Sequence, residues 1–171
     1  FHPDPTVKRQ SGFLAPSINS QNSASYIKTP YFFAISESSD FTFSPRFYSD
    51  EKNIYQGEYR KVNKNSKHVF DASIKNENAF LTGNDSRSHF FSKSTINTNF
   101  ELFDYSKIDI QFQNVSNDNY LKIHNLSDTS SLISDESLLT SNLNLVWDLD
   151  ENTNFDTSFK VYEDLSKKDN D

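Results

Sequence analysis

Oxygen-bearing side chains with a metal-like spacing occur near the C-terminal end of the chain. They occupy every second position of one stretch: Asp148, Asp150, Asn152, Asn154 and Asp156. A calcium-binding loop begins this way, but it also needs glycine at its sixth position and a bidentate glutamate at its twelfth. This sequence has Thr153 and Phe159 at those positions. The stretch therefore predicts a polar turn between two strands, and no metal site.

Groups that could act as nucleophile and base lie together at 83–89, where Asp85 and Ser86 precede His89. A Ser-His-Asp triad needs such groups to converge in space, and neighbours in one loop do not provide that geometry. His2 and Asp4 are too few ligands for a metal ion. The chain has no cysteine and 3 glycines, which leaves no thiolate site and no phosphate-binding loop. We expect no catalytic residue, metal or cofactor, and no enzymatic activity.

Two prolines stand inside segments that otherwise have the pattern of β-strands. Pro30 lies in the stretch 25–36, and Pro45 lies in the stretch 40–49. Proline has no N–H to donate and is normally confined to sheet edges, strand ends or bulges. Each of these residues therefore removes one hydrogen bond that a strand at that position could have donated.

Alternation of apolar and polar residues extends over most of the chain and predicts an all-β, antiparallel fold. About eight segments show it: 25–36, 40–49, 53–62, 67–76, 87–98, 103–114, 138–149 and 154–163. Strict alternation over such lengths favours strands over helices. Most segments are close to the roughly 9–11 residues with which a tilted strand crosses a bilayer. The stretch 126–139 is interpreted as a loop.

Composition agrees with strands that have one apolar and one polar face. Hydrophobic residues make up only 34% of the chain, yet aromatic residues reach 15%, with 16 Phe and 8 Tyr. Transmembrane barrels have this character, with the apolar face toward lipid and the polar face toward the lumen. A soluble sandwich turns its apolar face toward a core instead. The pattern alone leaves both folds open, and the net charge of −7 argues against nucleic acid as a partner.

The ends of the sequence suggest a part of a longer protein. The chain contains no methionine and begins with Phe1, so we expect a mature form or a fragment. Residues 1–24 contain three of the prolines and a Ser/Asn/Gln tract, which is typical of an irregular connector. The longest apolar run, 31–35, is far shorter than the roughly 20 residues of a membrane-spanning helix.

Several stretches together resemble one known family. They are KRQSGFLAPS (8–17), PYFFAISESSDFTFSPRFYSDEKNIYQGEYR (30–60), RSHFFSK (87–93), VSNDNYLK (115–122), LLTSNLNL (138–145) and FDTSFKVYEDL (155–165). These patches resemble the LPS-assembly protein LptD family, also called organic solvent tolerance protein. Members have a periplasmic jellyroll followed by a very large outer-membrane barrel. The resemblance implies that 1–24 is a connector from the periplasmic domain and that 25–171 are the first strands of a transmembrane β-barrel in the bacterial cell outer membrane.

The resemblance also implies a function and partners. The function would be insertion of lipopolysaccharide into the outer leaflet, without chemical transformation. The partners would be lipopolysaccharide, an LptE-like lipoprotein plug inside the lumen, and a periplasmic lipopolysaccharide-bridge protein that acts through the jellyroll. Pro30 and Pro45 match prolines in the family's first two strands, and they would weaken one side of a lateral gate. Two alternatives remain: another outer-membrane barrel such as a porin-like channel, and a soluble β-sandwich that binds glycans.

Overall fold

The computed structural model describes residues 9–20, 25–49, 52–75, 86–98 and 100–166. The segments in which apolar and polar residues alternate form one antiparallel sheet, which has eleven strands in this part of the chain. The strands are β1 (Gly12–Phe13), β2 (Ser17–Asn19), β3 (Tyr26–Lys28), β4 (Tyr31–Ser36), β5 (Ser39–Tyr48), β6 (Ile54–Val62), β7 (Ser66–Lys75), β8 (Arg87–Asn97), β9 (Tyr105–Val115), β10 (Leu138–Asp150) and β11 (Thr153–Asp164). A short helix, α1 (Tyr120–Ile123), and a 3₁₀ turn (Leu126–Thr129) lie between β9 and β10.

Neighbouring strands follow chain order from β4 to β11. On the other side of β5, β3 and β4 lie end to end, since Lys28 pairs with Arg46 and Tyr31 pairs with Phe43 in one continuous register. β1 pairs with the outer side of β4, and β2 pairs with the outer side of β3. The sheet of the described residues is open, with β1 and β2 at one edge and β11 at the other.

The two longest strands, β10 and β11 with 13 and 12 residues, lie on the side of the sheet away from the prolines. β6 has 9 residues, β8 and β9 have 11 each, and β10 has 13. Short polar turns at 37–38, 63–65 and 151–152 join several of the hairpins. The long strands therefore stand furthest from the edge that carries β1 and β2.

The two faces of the sheet differ sharply in chemistry. Cross-strand register places Phe41, Tyr59, Phe70 and Phe112 on one face, which we call the aromatic face. Its exposed members include Phe33, Phe47, Tyr55, Phe70, Ile74, Phe90, Ile110, Phe112, Phe155, Phe159 and Val161. The opposite face, called the polar face, buries hydrophilic side chains, among them Asp40, Arg46, Gln56, Asp71, Ser73, Lys75, His89 and Gln113. This is the reverse of a soluble sheet, where the polar side faces water.

A small core covers one end of the polar face. Segment 116–137 connects β9 to β10 and brings Tyr120, Leu121, Leu126 and Ile133 into a fully or nearly buried cluster. Ile54 and Phe91 contribute to the same cluster from the sheet. The apolar core therefore lies between this segment and the sheet, and the aromatic face takes no part in a second layer within the described residues.

The structure confirms the all-β antiparallel prediction, and each of the eight predicted segments corresponds to strand. The first segment, 25–36, is divided into β3 and β4 around Thr29 and Pro30. Residues 9–20, within the expected connector, contain the two short strands β1 and β2. No signal in the sequence predicted α1.

Within the described residues, no helix combines the length and the hydropathy needed to cross a membrane.

Candidate functional site: the proline-bearing edge and the polar face

Pro45 lies in the middle of β5, opposite Tyr55 of β6. Its carbonyl accepts a hydrogen bond from the Thr29 N–H at 3.2 Å. In an antiparallel ladder, residues paired in this way normally exchange two hydrogen bonds. Because proline has no N–H, the Thr29 carbonyl receives nothing from Pro45 in return. The contact between β5 and the β3–β4 line is therefore one hydrogen bond short at this point.

Pro30 has the same relation to the next strand outward. Its carbonyl accepts from the Leu14 N–H at 2.9 Å, and it has no N–H for the Leu14 carbonyl. Both prolines are buried. The two missing bonds thus lie on successive lines of contact at the same edge, one on each side of β3 and β4.

Aromatic rings hold this edge together on the aromatic face. Phe13 meets Tyr31 edge-on with ring centroids 4.9 Å apart, and Tyr31 meets Phe33 at 4.6 Å. Phe33 in turn lies 5.9 Å from Phe41 of β5. Side-chain contact therefore continues across the strands where the backbone ladder is incomplete.

A carboxylate on the polar face joins three parts of the chain near the β4–β5 turn. Asp40 is almost fully buried, and it contacts the guanidinium groups of Arg9 and Arg60, the latter at 2.8 Å from Nε. Arg9 also lies over the Phe32 ring, 5.1 Å from its centroid. Because a buried carboxylate needs charged partners, this group ties the segment before β1 to β5 and β6.

A hydrogen-bonded network occupies the centre of the polar face. The Gln56 amide donates to Asp71 at 3.1 Å, and His89 Nε2 lies 3.3 Å from the same carboxylate. Ser73 Oγ is 2.7 Å from His89 Nδ1 and 2.8 Å from the Tyr120 hydroxyl. The side chains of Asp71 and His89 have no exposed surface. A substrate could not reach them, so this Ser-His-Asp group connects strands rather than forming an active site.

Arg46, the residue after Pro45, fastens segment 116–137 to β5. It is fully buried and donates to the backbone carbonyls of His124 and Asn125, the latter at 3.3 Å. Its guanidinium also lies over the Tyr26 ring of β3, 5.1 Å from the centroid. One side chain therefore joins the connecting segment to both strands that meet at Pro45.

The remaining ties of segment 116–137 reach β6 and β9. Gln113 donates to the Leu132 carbonyl at 2.8 Å, and Ser131 donates to Glu58 at 3.2 Å. Burial of Tyr120 in α1 raises the pKa of its phenol to about 12, despite the opposing hydrogen bond from Ser73. A neutral Tyr120 is therefore part of the folded contact.

Beyond segment 116–137, the polar face opens into a shallow depression of about 310 Å³ between β8, β9 and β10. Its lining is hydrophilic: Lys93, Thr95, Lys107, Asp109, Gln111, Asn142 and Asn144 contribute to it. Lys107 Nζ lies 2.7 Å from Asp109, and Thr95 donates to the same carboxylate. The surface thus offers hydroxyl, amide and paired charged groups.

The candidates from the sequence have mixed outcomes. Asp148 to Asn154 form the end of the β10–β11 hairpin, as the turn interpretation predicts. Within the described residues, no group of three or more possible ligands is placed to hold a metal ion. His89 contacts Asp71 and Ser73 of the neighbouring strand, whereas Asp85, His2 and Asp4 lie outside the described residues.

Comparison with known proteins gives one consistent result. Over 71 residues, 41% of this chain, the sequence is 34% identical to the LPS-assembly protein LptD of Pseudomonas fluorescens. It is 44% identical over 57 residues to the LPS-assembly protein LptD of Nitrosococcus oceani, and 32% identical over 71 residues to that of Pseudomonas aeruginosa. The similarity spans only 8% of the length of each of these relatives. No family profile matches the chain.

Proposed function

We propose that this chain is part of the wall of an outer-membrane barrel that inserts lipopolysaccharide into the outer leaflet. The observation that carries the proposal is the arrangement of the two faces, with aromatic residues exposed and hydrophilic residues buried. Lipid on the aromatic side and an aqueous lumen on the other would satisfy both faces. The similarity to proteins named for lipopolysaccharide assembly is the reason for proposing lipopolysaccharide as the transported molecule.

Two neighbouring residues of β9 allow a direct test of this orientation. Ile110 belongs to the aromatic face and is 40% exposed, whereas Gln111 belongs to the polar face. A lysine on the lipid side near the bilayer midplane costs about 2–4 kcal/mol, and a lysine toward the lumen costs little. We expect Ile110→Lys to reduce strongly the amount of folded full-length protein in the outer membrane, and Gln111→Lys to leave it near the wild-type amount.

The opposite ranking would exclude the barrel. In a soluble sandwich, a second layer would cover the aromatic face, and the protein would remain folded without lipid or detergent. Because a lysine at 110 would also disrupt the core of a sandwich, membrane fractionation of the variants tests only which face is apolar. Solubility of the folded wild-type protein in plain buffer is the measurement that separates the two folds.

The polar face is suited to the hydrophilic part of the cargo. Amide and hydroxyl groups around the depression between β8 and β10 can exchange hydrogen bonds with sugar hydroxyls. We propose that lipopolysaccharide passes its glycan along this side. The full-length protein would also contact an LptE-like lipoprotein in the lumen and a periplasmic bridge protein through its jellyroll.

We propose that Pro30 and Pro45 keep one side of a lateral gate weak. Each alanine replacement would supply an N–H, toward the Leu14 carbonyl at position 30 and toward the Thr29 carbonyl at position 45. One such hydrogen bond contributes about 0.5–1.5 kcal/mol net in water. We expect the double variant Pro30→Ala, Pro45→Ala in the full-length protein to deliver less lipopolysaccharide to the cell surface.

The matched control for the gate is Pro16→Ala, because Pro16 is an exposed proline between β1 and β2. Surface lipopolysaccharide is measured by labelling intact cells, with equal amounts of folded protein verified in the membrane. Wild-type delivery by the double variant would contradict the gate, and it would leave the barrel proposal to the lysine experiment.

A further inference from the structure

The aromatic face becomes polar at one end of β5 to β8. One row of paired residues across β5 to β9 consists of Phe41, Tyr59, Phe70, Ser92 and Phe112. Two residues further along each strand, toward the turns at 37–38 and 63–65, the next row on this face consists of Ser39, Lys61, His68, Ser94 and Ile110. Two residues span about 7 Å of a strand. The change from aromatic to polar is therefore abrupt.

The other end of β5, β6 and β7 remains apolar on the same face. Phe43 and Phe47 lie there on β5, Tyr55 on β6 and Ile74 on β7. Polar side chains of this face in these three strands thus occur only at the end near the turns. The sequence pattern alternates along the whole strands, so it gives no sign of this difference between the two ends.

Hydroxyl groups hold His68 on both sides of its ring. Nδ1 lies 3.0 Å from Ser94 Oγ, and Nε2 lies 3.0 Å from Ser66 Oγ. The ring also stacks on Phe70 of the aromatic row, with centroids 6.4 Å apart. Lys61 is exposed and lies directly opposite His68 on β6. We call Ser39, Lys61, Ser66, His68 and Ser94 the polar patch.

Positive charge is concentrated in the hairpin that carries this patch. Residues 59–70 include Arg60, Lys61, Lys64 and Lys67 and no acidic residue, although the chain has a net charge of −7. Arg60 contacts Asp40 and Glu58, so carboxylates on the polar face balance its charge. The three lysines are exposed. The patch therefore lies in a locally cationic part of an acidic chain.

The depth of the patch in a bilayer follows from the position of its lysine, and this inference rests on the proposed barrel, in which the aromatic face meets lipid. A lysine on that side is costly at the midplane and costs little near the interface, where rows of aromatic residues also lie. The polar patch would then lie at the level of the lipid headgroups. We propose that it binds the phosphate group of an anionic membrane lipid. Lys61 supplies the positive charge, and His68 with its neighbouring hydroxyls supplies hydrogen-bonding groups.

Native mass spectrometry of the full-length protein in non-ionic detergent tests the site, because it counts bound lipids and gives the association constant of the first one. The probe is phosphatidylglycerol, an anionic lipid with one phosphate. Diacylglycerol without phosphate and inorganic phosphate without lipid are the comparison ligands. We expect Lys61→Gln to weaken phosphatidylglycerol binding by about fivefold, which is the contribution of one lysine beside anionic lipid, and Lys61→Arg to retain it.

The matched control is Lys67→Gln. Lys67 belongs to the same hairpin and precedes His68, but it lies on the polar face, where it pairs with Thr95. The change removes the same charge from the same part of the chain. We expect phosphatidylglycerol binding of this variant to remain close to that of the wild type.

Several results would overturn the inference. They are unchanged phosphatidylglycerol binding in Lys61→Gln, an equal loss in both glutamine variants, diacylglycerol binding as tight as that of phosphatidylglycerol, and displacement of the lipid by inorganic phosphate at equal concentration, which would make a free anion the ligand. Each leaves the barrel intact if the protein is folded in the membrane. Failure of the proposed function has a different signature, because the folded wild-type protein would then be soluble in plain buffer. That result would overturn both proposals.

Discussion

Buried phenol, imidazole and carboxylate groups on the polar face show how single residues depend on tertiary contacts. Tyr120 reaches from α1 to Ser73 on β7, and Ser73 in turn contacts His89 on β8. Each of these groups serves as a hydrogen-bond partner for a neighbour that water cannot reach. A buried polar group needs such a partner. Removal of one member would leave at least one buried neighbour short of a hydrogen bond.

The raised pKa of Tyr120 gives a prediction at high pH. Burial keeps the phenol neutral in the folded protein up to about pH 12, whereas in the unfolded chain it ionises near its ordinary value of 10.0. The stability that depends on the neutral form is therefore fully present below pH 10 and is lost as pH rises from 10 to 12, by about 2–3 kcal/mol in total.

Denaturation followed as a function of pH measures this effect. We expect Tyr120→Phe to be less stable than wild type near neutral pH, because the Ser73 contact is lost, and to lose less stability between pH 10 and 12. Tyr162→Phe is the control, since Tyr162 is 59% exposed. Parallel curves for Tyr120→Phe and wild type across this range would contradict the prediction.

The residues show clearly what the sequence could and could not predict. In β7 the sequence itself shows the alternation, with polar residues at 71, 73 and 75 and apolar residues at 70, 72 and 74. This local pattern was enough to predict a strand with one polar and one apolar face. Contact of Ser73 with His89 depends on the register of β7 and β8, which no local pattern reports. For the same reason the sequence did not show that Leu14 lies opposite Pro30 and that Thr29 lies opposite Pro45. The alternation also did not report that, within the described residues, no second layer covers the aromatic face.

At the scale of elements, β5 and β6 meet through an aromatic ring that covers a glycine. A Cβ atom at Gly57 would lie 2.7 Å from Phe41 Cε2 and 2.8 Å from Cζ. This is closer than van der Waals contact, so the ring would have to move. Glycine at this position therefore leaves room for the edge of the Phe41 ring beside β6.

A double-mutant cycle checks this contact. Alanine is otherwise about 0.5–1 kcal/mol better than glycine inside a strand. We expect Gly57→Ala to stabilise the sheet by that amount when Phe41 is already alanine, and to be neutral or destabilising in the wild-type background. Gly12→Ala is the control, because nothing lies within 4 Å of its added Cβ. Equal effects in both backgrounds, measured by denaturant unfolding in detergent, would show that the ring does not matter.

Elements differed in how far they could be predicted. β5 to β11 are long and alternate regularly, so their own residues specify them. Three elements are very short: β1 has 2 residues, β2 has 3 and α1 has 4. β1 and β2 depend on pairing with the edge of β3–β4, and α1 depends on packing against the polar face. Elements of that length have too few residues for a periodic signal.

At the scale of the whole molecule, Arg46 links the sheet edge to segment 116–137. Its two hydrogen bonds to main-chain carbonyls are charge-assisted, and such bonds contribute about 1.5–3 kcal/mol each. We expect Arg46→Gln to release the segment locally and to increase trypsin cleavage after the exposed Lys122 by about tenfold or more, consistent with that loss of free energy.

The control for this prediction is Lys61→Gln, which removes an exposed cation from β6. Cleavage is followed by mass spectrometry on the folded protein in detergent micelles. An unchanged rate for Arg46→Gln would show that the apolar cluster around Leu121 and Leu126 holds the segment without the arginine.

In the proposed barrel, the difference in length between β6 and β10 has a consequence for the surrounding bilayer. At about 3.4 Å per residue and a tilt near 45°, the 9 residues of β6 rise ~22 Å, and the 13 residues of β10 rise ~31 Å. The bilayer must thin beside a strand whose rise is less than the hydrocarbon thickness, whereas it need not thin beside a longer strand. The hydrocarbon layer would then be thinner beside β6, the strand that pairs with Pro45, than beside β10 on the far side of the sheet.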